Sequence, residues 1–250
     1  MSKPIGLQLY SVRHMLAEDL EGTLKKVAGM GYDAVEFFGA LDKPAERLAA
    51  ALKDAGLTCC GWHTPWDAVQ PQNLYPTIEY FKAVGCQSVV VPGLPGECYE
   101  TIEAWKKAVR YLDSIAPVLA GYGMTIGYHN HDVEFRPVDG QSPFDAFIES
   151  TSSALNWQFD IGNALAGKVA DPVALIEKYP ERIHNIHAKP WSKDNGFDCV
   201  IGGDDVDWAK VVRMGESNPG TVGYIVEFEL EGKEEEGVRL CLEGLKKVLG

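Results

Sequence analysis

The sequence predicts an α/β fold, a single closed (β/α)8 barrel with its active site at the C-terminal ends of the strands. Three observations carry that prediction. Short β-rich runs alternate eight times with longer segments of helical apolar spacing. Glycines suited to ending helices stand just before several of these runs. Polar residues in the later runs fall near the end and on one parity, as the inner wall of a barrel requires. The 250 residues are about what one such barrel needs. No linker, low-complexity segment or charge block divides the chain, so residues 1–250 are expected to form one domain.

The expected strands are 5–10, 34–38, 58–63, 88–92, 125–130, 156–160, 183–189 and 224–229. Their starts lie roughly 25 to 40 residues apart, the length of a strand plus its crossover helix. Helical spacing is clearest in Leu20, Leu24 and Val27, and recurs over 45–55, 99–119, 172–179 and 238–249. Gly31, Gly56, Gly85 and Gly123 stand at helix–strand junctions, where a left-handed C-cap is needed. No G-x-G-x-x-G turn follows the first strand, which argues against a dinucleotide-binding sheet.

A formal net charge of −13 excludes ready binding to nucleic acid and disfavours phosphorylated substrates more mildly, since a local basic pocket can still hold one phosphate. No run approaches the roughly 20 apolar residues of a membrane span, and the first residues enter a strand without a signal-peptide core. A cytoplasmic protein with no membrane partner is expected. The six cysteines form no C-x-x-C pair and read as buried small hydrophobes, not as thiolate ligands.

Alternation along the strands locates the candidate site. On the eighth strand Tyr224, Val226 and Phe228 take the outer face, leaving Glu227 and Glu229 inside. A carboxylate in so apolar a run must be paired with a cation or bound to a metal. Asp160 ends the sixth strand on the inner parity, and His187 and Lys189 share the inner parity of the seventh. The fifth strand contributes His129 and His131, with Glu134 on the loop above, and Gln8, Glu36 and His63 come from earlier strands. Four of the six histidines thus fall at strand ends. Such O and N donors without thiolate suit one divalent ion, Mn²⁺, Mg²⁺, Co²⁺ or Zn²⁺.

These residues carry a resemblance to the xylose isomerase-like barrel superfamily, in particular to its sugar phosphate isomerases/epimerases and inosose dehydratases. It runs through Gly6-Leu7-Gln8-Leu9-Tyr10-Ser11, Ala34-Val35-Glu36-Phe37, Tyr128-His129-Asn130-His131, Phe159-Asp160-Ile161-Gly162-Asn163, Ile186-His187-Ala188-Lys189 and Ile225-Val226-Glu227. The resemblance implies one metal held from strands five to eight by Glu134, Asp160, His187 and Glu227, with His129 as the alternative to Glu134. Asn163 stands where relatives often have a substrate-touching His, and Pro190 where they often have Asp.

The implied reaction is metal-dependent proton abstraction next to a carbonyl of a small sugar, sugar phosphate or cyclic polyol, through an enediolate. Glu134 or Glu227 would be the base, and Lys189 or His129 would stabilise the oxyanion or donate a proton. Isomerisation or epimerisation is the leading outcome. Dehydration of an inosose or keto-sugar, or a barrel that binds without catalysis, are the alternatives. An apurinic endonuclease of the same superfamily needs a DNA-facing basic surface, which the charge opposes. His63, His131, Asn163, Glu36 and Trp62 are the expected substrate contacts, with Trp66 and Trp191 also candidates to stack on a sugar. The stretch from Lys189 to Trp208 is expected to form an active-site loop. A homo-oligomer is left open.

Overall fold

The computed structural model describes residues 2–250. Eight parallel strands close on themselves in sequence order. They are β1 (Ile5–Gln8), β2 (Ala34–Phe38), β3 (Thr58–His63), β4 (Ser88–Val91), β5 (Thr125–His129), β6 (Leu155–Asp160), β7 (Ile183–Ala188) and β8 (Gly223–Val226). The outer ring holds α1 (Arg13–Glu18), α2 (Leu20–Met30), α3 (Ala45–Ala55), α4 (Leu74–Val84) and α5 (Ile102–Ala120). It continues with α6 (Pro143–Ser150), α7 (Ile161–Ala166), α8 (Pro172–Lys178), α9 (Trp208–Ser217) and α10 (Glu234–Leu249).

All eight expected strands are present, and most end a residue or more earlier than alternation alone suggests. β1 stops at Gln8 because its side-chain oxygen accepts from the Tyr10 N–H at 3.0 Å and turns the chain into a 3-10 helix. β8 stops at Val226, so Glu227 and Glu229 lie on the rim beyond it; the Phe228 N–H leaves the ladder and donates to Ser11 Oγ. Gly31, Gly56 and Gly85 cap α2, α3 and α4 with positive φ. α5 starts after the expected 99, at a Thr101 cap, and the preceding turn is 3-10. α10 starts before the expected 238, where Glu234, Glu235 and Glu236 complement the helix N-terminus. The helices over α4, α6 and α9 are ones the apolar spacing does not single out; α6 has Pro143 in its first turn and α9 a Gly215 within it.

The core lies between strands and helices. Leu20, Leu24 and Val27 point inward from α2, while Trp157 on the outer face of β6 packs against Phe144 and Phe147 of α6 with ring centroids 4.8 and 4.4 Å apart. Two strand irregularities set the inner wall. β3 holds one extra residue between the partners of Val35 and Glu36, and β7 one between the partners of Trp157 and Gln158. After the first, Gly61 pairs with Glu36, and a Cβ at 61 would lie 2.5 Å from Glu36 Oε1. Glycine there is what lets a carboxylate occupy the barrel axis. All six cysteines are free; Cys86 and Cys241 are buried and the other four half-buried. No helix among the described residues is long and apolar enough to cross a membrane.

Candidate metal centre

Above the axis, at the C-terminal strand ends, His129, Asp160, His187 and Glu227 each present one ligand atom, all within 4.8 Å of one another, and all four residues are buried. His187 Nδ1 lies 2.8 Å from Glu227 Oε2 and 3.8 Å from Asp160 Oδ2, and His129 Nε2 lies 4.0 Å from the same Asp160 oxygen. Asp160 caps α7: its Oδ1 accepts from the Asn163 N–H at 2.6 Å. Its Oδ2 is buried and meets no hydrogen-bond donor.

A buried carboxylate oxygen without a donor is costly, whereas a cation beside it removes the penalty. Donors around one divalent ion stand roughly 3 to 3.5 Å apart when each bond is about 2.1 Å. The observed spacings, 2.8, 3.8 and 4.0 Å and none above 4.8 Å, approach that. Two carboxylates and two imidazoles are also a suitable donor set for a borderline or hard divalent ion. The residues therefore fit such a metal.

Electrostatics point the same way. Burial pushes the Asp160 carboxyl up to about 7, against the pull of Lys189. Burial and the neighbouring imidazoles His187 and His63 push His129 well below its ordinary value, so it stays neutral. Burial would lower His187 as well, but Glu36 and Glu227 on either side raise it to about 10. Burial would raise Glu36 and Glu227, yet both are held below the usual carboxylate range, Glu36 by His63 and His187, Glu227 by Lys189 and His187.

Glu134 does not join this group. Its carboxylate accepts from the hydroxyls of Tyr128 at 2.7 Å and Tyr99 at 3.2 Å, and from the His131 N–H at 2.7 Å. Three donors hold it in a pocket behind the fifth-strand loop, and His129 is the residue that β5 brings to the other three. Trp62 is also displaced from its expected place at a substrate. It lies on the outer face of β3, stacked on Phe37 with centroids 4.8 Å apart, and its indole N–H donates to Gly39 O. Glu36 is fully buried below the cluster, bonded to Gln8, Gln158 and His187, and does not line the cleft. Trp66 packs edge-on to Tyr111, and neither it nor Trp191 lines the cleft.

The cleft above the cluster has a volume of about 560 Å³ and is lined by His63, His129, His131, Asn163, Lys189 and Glu227 among others. Asn163 is tied down, its Nδ2 donating to Asn130 O at 3.0 Å. Lys189 Nζ donates to Glu229 Oε1 at 2.9 Å, reaches Glu227 Oε1 at 3.5 Å and sits 4.8 Å over the Phe197 ring, which the 189–208 loop brings to the cleft. The polar lining comes chiefly from β5 to β8, whereas Tyr10, Phe38, Pro65 and Pro92 form an apolar wall after β1 to β4.

Alternation did not single out Gln158, although it shares the inner parity with Asp160. It stands at the centre of the barrel, bonded to Glu36, His63 and His129. Asn130 was also missed as more than a motif letter: its Oδ1 accepts from the Trp157 indole and the Asp160 N–H and locks the tops of β5 and β6 together.

This is a closed (β/α)8 barrel with acidic and imidazole side chains that could hold a metal gathered at its C-terminal rim. Residues 24–248 match the model of the xylose isomerase-like TIM barrel family, and the chain belongs to that family. The chain is 24% identical over 191 residues to the rhizopine catabolism protein MocC of Rhizobium meliloti, covering 68% of this chain and 57% of that protein. It is 26% identical over 188 residues to the inosose dehydratase of Geobacillus kaustophilus, covering 66% and 60%. The match thus spans less than two thirds of either relative. A solved sugar phosphate isomerase/epimerase from Parabacteroides distasonis superposes with a TM-score of 0.81 at 26% identity, over 98% of both chains.

Proposed function

We propose that this chain is a divalent-metal-dependent enzyme that removes a proton next to the carbonyl of an uncharged sugar or cyclic polyol, as an isomerase or epimerase. The observation that carries this is Asp160 Oδ2, a buried oxygen with no donor, facing the nitrogens of His129 and His187 beside Glu227. Those four residues would hold the ion. Bound there, it would act as a Lewis acid on the substrate's oxygens.

The chain's own groups do the rest. Glu227 is placed to take the proton, and Lys189 beside it to hold charge on the neighbouring oxygen. His131, at the exposed rim after β5, faces the cleft from another side and is placed to return a proton. The apolar wall suits the C–H face of a ring. An uncharged substrate follows from the balance of the lining. Lys189 is its one lysine, it carries no arginine among the described residues, and Glu227, Glu229 and Asp132 stand against that single cation. A phosphate would meet a lysine already neutralised by two carboxylates.

Dehydration is the second reading, favoured by the Glu227–Lys189 pair, in which base and acid stand side by side for loss of a β-hydroxyl. The relationship to an inosose dehydratase supports it.

The test is metal content per chain, measured by plasma mass spectrometry on wild type and Glu227→Ala after identical loading with Mn²⁺ and desalting. Near one equivalent in wild type and little in the variant is expected. Loaded protein is then incubated in D2O with neutral ketoses and inososes. Deuterium entering recovered sugar marks isomerase or epimerase chemistry, and an unsaturated product marks the dehydratase. Wild type that retains no metal overturns the metal reading, and loaded protein inert to the whole panel overturns the enzyme reading.

A further inference from the structure

Beneath the four candidate ligands lies a layer of buried polar side chains whose hydrogen bonds run in one direction only. Glu36 is its source. A carboxylate has no hydrogen to give, so its neighbours must donate. Its Oε2 accepts from Gln8 Nε2 at 2.7 Å and His187 Nε2 at 2.8 Å, and its Oε1 from Gln158 Nε2 at 2.7 Å. The Gln8 amide is oriented independently, because its oxygen accepts from the Tyr10 N–H.

With its nitrogen committed to Glu36, Gln158 offers only Oε1 on its other side. There it meets His63 Nε2 at 2.7 Å and His129 Nδ1 at 3.0 Å, and both must donate. His129 therefore carries its ring proton on Nδ1 and keeps Nε2 bare, on the side of Asp160 Oδ2. His187, holding a proton on Nε2 toward Glu36, turns Nδ1 toward Glu227 and Asp160, and without an ion there Nδ1 donates to Glu227. The nitrogens that face the cluster are thus those the layer below leaves to it.

We infer that Glu36 and Gln158 are positioning residues: Gln158, aligned by Glu36, fixes the ring proton of His129 on Nδ1 and leaves Nε2 to the metal, and Glu36 orients the His187 ring so that Nδ1 faces the cluster. The inference rests on the metal reading above for its purpose, and on the hydrogen-bond directions alone for its content. Neither residue touches the substrate cleft. Hydrogen bonds from the far nitrogen of a ligating imidazole are a general means of fixing its tautomer.

The relay makes a prediction that simple packing does not. In Glu36→Gln the new amide nitrogen must face either the nitrogens of Gln8 and His187 or the nitrogen of Gln158. The second arrangement is relieved when Gln158 turns over, and its nitrogen then faces His129 Nδ1. The His129 proton moves to Nε2, onto the atom meant for the metal. In the exchanged pair Glu36→Gln with Gln158→Glu, every donor again meets an acceptor and the number of buried charges is unchanged.

The experiment is long-range ¹H–¹⁵N correlation on the metal-free proteins, which assigns the protonated ring nitrogen, together with Mn²⁺ affinity by chelator competition. We expect the His129 proton on Nδ1 in wild type and on Nε2 in Glu36→Gln, with Mn²⁺ bound about 10- to 100-fold more weakly. The exchanged pair should restore both the tautomer and the affinity. A wild-type His129 proton on Nε2 overturns the inference whether or not either variant folds. So does a folded Glu36→Gln that binds Mn²⁺ like wild type, or a folded exchanged pair that recovers neither property. Wild type that binds no Mn²⁺ overturns the metal reading and this role with it. The tautomer spectrum of the same sample still shows whether the relay itself runs as described, so the two failures are told apart.

Discussion

At the residue scale, position along a strand and position on its face carry different information. Asp160, His187 and Glu227 were legible because a charge or imidazole late in an apolar strand, on the inner parity, has few places to go. Trp62 was assigned by nearness to a strand end alone; it adjoins the inward His63 and so must face the helices. We expect Trp62→Ala to cost about 3–5 kcal/mol of stability, as buried tryptophans do, while metal stoichiometry stays at the wild-type value. Chemical denaturation with metal analysis checks both. Glu134 is implied by resemblance, and Tyr128, the His131 N–H and Tyr99 together hold it out of the cluster, the last from 35 positions earlier, an approach no local pattern announces. Glu134→Ala should leave the Tyr128 and Tyr99 hydroxyls and the His131 N–H without their acceptor. A loss of about 1–3 kcal/mol is expected, again with metal retained. Loss of metal in that variant would return Glu134 to the ligand set. Gln158 was passed over because an uncharged amide gives no signal until its neighbours are known.

At the element scale the strands were the most legible part of the chain, since period-2 alternation and apolar runs mark them directly. Their extra residues were not. The irregularity in β3 is visible only as a pairing, and it brings Gly61 opposite Glu36. Gly61→Ala would place a methyl against the Glu36 carboxylate. We expect it to cost about 1–3 kcal/mol as an overpacked site does, and to weaken metal binding by displacing Glu36 from His187. Isothermal titration with Mn²⁺ beside a melting curve reads both, and unchanged affinity would show that Glu36 yields without consequence. Of the helices missed by spacing, α4, α6 and α9 begin with or contain proline or glycine, residues whose local preference the surrounding barrel overrides.

At the scale of the whole molecule, the closed barrel gathers four side chains, from the ends of β5, β6 and β7 and from just beyond β8, to one buried point. Ligands that distant in sequence are brought together only by the complete fold, so the ion should bind the folded chain in strong preference to the unfolded one. Loading with Mn²⁺ at 100 times its dissociation constant is then worth about 2.7 kcal/mol. The expected outcome is a melting temperature that rises on loading and falls back on chelation. The gain should be absent in Asp160→Asn or Glu227→Ala.

The division of the cleft has a consequence for how such a chain diversifies. Tyr10, Phe38, Pro65 and Pro92 all lie in the first half of the sequence, and His129, Asp160, His187 and Glu227 all in the second. Shape and chemistry are therefore inherited on separate stretches of the gene. Drift in the first half can reshape the wall that a ring rests against while leaving the reacting groups in place. Beneath the cluster the halves meet where Glu36 bonds Gln158 and His187 and where His63 bonds Gln158, so a recombinant that joins the front of one barrel to the back of another succeeds only where those residues still match.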